Sequence, residues 1–151
     1  MTAMPRAALG FLAGALSVLI VHQGIWALLH WAGMMPPAYP MRAVGPLHIP
    51  LVLDLAFWGG VWGLVFGLAL PHLPAAPAWL LGLGLGACAI LVAWFVVAPL
   101  HGAPIGNGFT GRGISISLAI NLPWGIGAAL IGTVLMGRAY PRARRSPRKL
   151  A

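Results

Sequence analysis

The chain has 151 residues, 60% of them hydrophobic and 7% charged, with nine Lys and Arg against one acid. Soluble domains carry roughly 25% charged residues, so this chain lacks the polar groups needed to cover a water-facing surface. A single acid excludes general acid–base work by paired carboxylates, and a single cysteine, Cys88, excludes a disulfide framework or a cysteine metal site.

A membrane-crossing helix needs about 20 apolar residues to span the ~30 Å hydrocarbon core. The first such run covers about 7–33. A basic start at Arg6 also suits a signal peptide, but the run outlasts the roughly 7–15 residues of a signal's apolar region. It therefore reads as an uncleaved first helix. The second run, about 51–70, is bracketed by Pro50 and Pro71, and the third, about 78–98, by Pro77 and Pro99. The fourth, about 114–136, contains Pro123, which predicts a kink. The expected fold class is an all-α integral membrane protein: a bundle of four transmembrane helices in residues 1–137. A basic, disordered cytoplasmic tail follows in residues 138–151.

With four spans, Arg6 shares one side with Arg138, Arg142, Arg144, Arg145, Arg148 and Lys149, whereas Arg42 and Arg112 lie on the other. The positive-inside rule then puts both termini in the cytoplasm of a bacterial inner membrane. The tail cations are expected to meet anionic lipids, and nucleic acid is not an expected partner.

Lipid tails are as apolar as leucine, so membrane helices associate through small residues. Gly59, Gly63 and Gly67 make a double GxxxG step in the second span, Gly10 and Gly14 a single step in the first, and Gly82 and Gly86 another in the third. These predict glycine-mediated packing, either within one chain or in a homo-oligomer or larger membrane complex. Trp58-Gly59 echoes Trp124-Gly125, and Leu29-His30 echoes Leu100-His101, as a parallel repeat of two helical hairpins would.

The one acid, Asp54, lies in the second span, roughly 4.5 Å along the axis from Leu51 and about 180° around the helix from Gly63. A carboxylate at membrane depth is a functional-site hypothesis. In a helix's first turn it is also simply favoured by the helix dipole. Asp54, His30, His101, Arg42 and Arg112 form a candidate proton or ion site on the outer side. His30, His48, His101, Met34, Met35 and Met41 form a weaker candidate for copper(I). His22, near mid-membrane, has no histidine at depth on another span, so it is expected to hydrogen-bond inside the bundle rather than hold haem. No cofactor is expected, and nothing predicts an enzyme. The glycine-rich stretch 102–113 lacks a GxxxxGK[ST] pattern and reads as a flexible turn.

The segments His22-Gln-Gly-Ile-Trp-Ala-Leu-Leu-His30 and Leu55-Ala-Phe-Trp-Gly-Gly-Val-Trp-Gly-Leu-Val-Phe-Gly67 resemble a group of small bacterial four-helix inner-membrane proteins. That resemblance implies a fold and a membrane, and no activity. Asn121-Leu-Pro-Trp-Gly125 is similar to a stretch of the small fluoride-channel family, whose threonine- and phenylalanine-rich pore motif is absent here. Two functions follow as expectations: a non-catalytic accessory or assembly partner, or a small transporter or channel subunit.

Overall fold

The computed structural model describes residues 2–137, and the tail cations from Arg138 to Lys149 lie outside them. Four helices carry the chain: α1 (Ala3–Trp31), α2 (Leu51–His72), α3 (Ala78–Leu100) and α4 (Gly111–Met136). Each is long and apolar enough to cross a membrane.

Helices α2 and α3 start where the sequence reading put them, and the other ends shift by two to four residues except the end of α4, which matches. Helix α4 starts at Gly111 because Thr110 is its N-cap, its Oγ1 accepting from the Gly113 N–H at 3.1 Å; such a cap satisfies one of the helix's orphan donors. Helix α2 starts where expected, but its first N–H groups are taken by the preceding loop: Leu51 donates to the Arg42 carbonyl and Val52 to the Pro40 carbonyl. That loop also forms a short antiparallel ladder, β1 (Ala43–Val44) against β2 (Ile49–Pro50). Pro123 does not break α4, which runs as one helix from Gly111 to Met136.

Helix α1 packs along α2 and along α4, and α3 packs along α4, whereas α2 and α3 barely touch. The helices thus lie in the order α2-α1-α4-α3. In the α1–α2 crossing, a β-carbon built on Gly10 would strike the Gly63 carbonyl, one on Gly14 the Gly59 carbonyl, and one on Gly67 the Arg6 carbonyl. In the α3–α4 crossing, Gly82 and Gly125 would each strike the other's carbonyl, and Gly86 would meet the Asn121 backbone. Between the hairpins, Trp124 is 3% exposed, its Nε1 donating to the Gly14 carbonyl at 3.2 Å, and Ser17 Oγ donates to the Trp124 carbonyl at 2.7 Å. Val18, Phe66, Leu70, Ala128 and Ala129 complete this core.

The crossings alter the repeat register. Gly10 and Gly14 address Gly63 as Gly82 and Gly86 address Gly125. The structural counterpart of Trp124-Gly125 is therefore Trp62-Gly63, one helical turn beyond the Trp58-Gly59 pair matched by sequence. Place in the crossing, not dipeptide identity, sets the correspondence.

Candidate functional site

The polar groups gather where the two long loops meet the helix ends. Further along α1, in its middle, the helix widens by one residue over Val18–His22, a π-bulge to which the following loop folds back. The Gln23 N–H bonds back to the Val18 and Ile20 carbonyls, skipping Leu19. The Tyr39 hydroxyl donates to that Leu19 carbonyl at 2.9 Å, and the Tyr39 N–H donates to Gln23 Oε1 at 2.7 Å. One loop residue thus takes up both the carbonyl freed by the bulge and the amide oxygen beside it. Tyr39 holds a left-handed backbone (φ 54°) to do so, a conformation that costs a non-glycine residue about 1–3 kcal/mol and clusters at functional sites.

The rest of the loop is tied down by side chains of α1 and α4. Trp26 Nε1 donates to the Pro36 carbonyl at 2.8 Å, His30 Nδ1 to the Met35 carbonyl at 2.8 Å, and Arg112 Nη2 to the Met34 carbonyl at 2.6 Å. The Met35 carbonyl can only accept, so Nδ1 carries the proton of that bond. Trp26, Met35, Tyr39, Met41 and Arg42 line a pocket of about 500 Å³ between this loop and the start of α2.

The second hairpin repeats the device with different chemistry. Helix α3 has its own π-bulge over Ala93–Val97. Phe109, also left-handed (φ 50°), packs its ring edge-on to Trp94 at 5.5 Å and tilted against Phe95 at 6.0 Å. The glycine-rich stretch expected to be a flexible turn is therefore anchored: Ile105–Gly108 makes a tight turn with Gly106 and Asn107 in the left-handed region, and a β-carbon on Gly106 would strike the Phe109 ring.

The predicted site residues are engaged separately where their contacts are seen. Asp54 is half-buried in the first turn of α2 and makes no hydrogen bond or ion pair among the described residues. His101, the residue just after α3, bonds through Nδ1 to the Val97 carbonyl of that helix at 2.9 Å. His48 closes the turn between β1 and β2, its N–H on the Gly45 carbonyl. Among the described residues no three of His, Cys, Asp and Glu lie together around a point that could hold a metal ion. His22, expected to bond within the bundle, keeps a buried Nδ1 without a hydrogen-bond partner among the described residues, as does Gln23 Nε2.

Sequence reasoning missed Gln23, Tyr39 and Phe109. Gln23 carried a usable signal: it is the chain's only glutamine and interrupts an apolar span. It is fully buried. Tyr39 carried none, because a π-bulge has no sequence signature that places its docking residue. Gln23→Leu would leave the Tyr39 N–H without an acceptor, a loss of about 1–3 kcal/mol. Amide exchange at Tyr39 should then speed up on the order of tenfold or more; exchange at the wild-type rate would show that the contact does not hold the loop.

Comparison with protein-family models, curated protein sequences and solved structures returned no match. The function must therefore be argued from the chain's own geometry.

Proposed function

We propose that this is a multi-pass protein of the bacterial inner membrane, both termini in the cytoplasm, acting as a non-catalytic accessory or assembly partner in a membrane complex. Membrane insertion is supported by the outward surface of the bundle. No more than 33% of the most apolar window of any span is buried. Phe57, Trp58, Val65, Leu91, Phe95 and Val134 all point outward. Only lipid or another apolar chain satisfies such a surface. Within the bilayer, backbone-to-backbone approach at the glycines supplies the dispersion contacts that the hydrophobic effect cannot. The shared crossings, π-bulges and left-handed aromatic anchors support a parallel repeat of two hairpins.

The observation that carries the functional reading is how the polar side chains at the long-loop end are engaged. Trp26, His30 and Arg112 each hold a loop carbonyl, and the loop's Tyr39 in turn holds the Leu19 carbonyl of α1, fixing the loop against the helices. The lone acid Asp54 stands outside that network. A loop fixed in this way suits recognition by a partner better than passage of an ion.

Proteoliposomes test this directly. Wild type and Asp54→Asn should show the same proton flux as protein-free vesicles, and the chain extracted from native membranes in mild detergent should migrate with a second polypeptide. Proton flux above background that disappears in Asp54→Asn would overturn the reading in favour of a transport subunit.

A further inference from the structure

We infer that the pocket between α1, its following loop and the start of α2 binds the phosphodiester end of an anionic phospholipid. The inference rests on the membrane reading above, because it needs lipid at this level.

Depth is the first argument. Trp26 lies five residues before the end of α1, roughly 7.5 Å along the axis, and Leu51 is the first residue of α2; both line the pocket. It therefore straddles the level where acyl chains give way to headgroups, where Trp and Tyr side chains are favoured.

Rigidity is the second. One wall is Trp26, bonded to the Pro36 carbonyl, and another is Tyr39, bonded twice at the π-bulge. Pro36 and Pro37 restrict the chain between them, and Pro40 restricts it just after Tyr39. A wall already ordered in the free protein loses little entropy when a ligand enters.

Charge decides the ligand. Arg42 is the one charged residue lining the pocket, and its guanidinium makes no hydrogen bond or ion pair among the described residues. Asp54, the only acid in the sequence, does not line it. The other cation at this end, Arg112, is engaged on the Met34 carbonyl and supports the loop. An apolar, aromatic pocket with one open guanidinium at its rim complements an amphipathic anion. A guanidinium fork matches the paired oxygens of a phosphodiester. Zwitterionic headgroups bring an ammonium that offsets this attraction.

The test is native mass spectrometry of the detergent-solubilised full chain, titrated with phosphatidylglycerol or phosphatidylcholine of identical acyl chains. The six tail residues Arg138, Arg142, Arg144, Arg145, Arg148 and Lys149 are first changed to Gln, so that the tail cannot supply the preference. Retention of phosphatidylglycerol should exceed that of phosphatidylcholine about tenfold, the scale of one charge-assisted contact. Arg42→Gln should abolish the preference and Arg42→Lys should restore part of it, both melting as the parent does. Equal retention of the two lipids, or a preference that survives Arg42→Gln, overturns the inference. Displacement by free glycerol phosphate also overturns it, by assigning the pocket to a soluble phosphate ester. Alkaline extraction of native membranes separates the two levels: release of the chain sinks the membrane reading, whereas an embedded chain with no lipid preference sinks only the pocket.

Discussion

Gly63→Leu should destabilise the protein more than any other single change in its first hairpin. A β-carbon at Gly63 would strike the Gly10 carbonyl and lie 2.9 Å from the Gly14 nitrogen and 3.0 Å from the Gly14 α-carbon. Every one of those atoms is backbone, so no side chain can swing aside, and α1 and α2 must separate. Overpacking ordinarily costs about 1–3 kcal/mol, and separation also removes the Gly10–Gly67 and Gly14–Gly59 approaches. Gly84→Leu is the matched control: it lies in α3 between Gly82 and Gly86, and nothing stands within 4 Å of its β-carbon position. Its higher helix propensity should leave stability unchanged or raised by up to about 1 kcal/mol. Thermal melting in one detergent by circular dichroism compares the two. Equal melting of Gly63→Leu and wild type would show that the α1–α2 crossing is not what holds the hairpin.

Trp124→Ala should be the most damaging change between the hairpins. The ring is 3% exposed, and Nε1 donates to the Gly14 carbonyl beside Gly59, so this one side chain joins α1, α2 and α4. In a bilayer the unfolded reference keeps tryptophan out of water. The transfer part of a core truncation then shrinks, and the cavity and lost hydrogen bond remain, roughly 2–3 kcal/mol. Trp58, 55% exposed on the outward side of α2, should tolerate alanine to within about 0.5 kcal/mol. The same melts decide it; equal losses at the two positions would sink the distinction.

The two tryptophans show where sequence reasoning stops. Both stand before a glycine deep in an apolar span, and nothing in composition distinguishes them. Four apolar helices were legible because lipid-crossing length and proline punctuation are one-dimensional properties, and the runs at 51–70 and 78–98 lie within the observed α2 and α3. The GxxxG steps were legible for a similar reason: residues four apart share a helix face. Which helix meets which face was not. The repeat matched Trp58-Gly59 to Trp124-Gly125 until the crossing with Gly10 and Gly14 identified Trp62-Gly63 as the counterpart.

The site was less legible than the fold. Titratable and sulfur-bearing residues drew attention to Asp54, His101 and His48, yet among the described residues no three such acids, histidines or cysteines meet at one point. The polar contacts that build the loop end come largely from residues whose part is set by backbone geometry. Tyr39 matters because α1 widens at Val18–His22 and frees the Leu19 carbonyl, and Phe109 because α3 widens at Ala93–Val97. By itself the sequence determined four apolar helices long enough to cross a membrane, because length and apolarity are read along the chain. The helix order, the repeat register and the π-bulge anchors were decided only in three dimensions, where backbones approach at glycines and a freed carbonyl must find a donor.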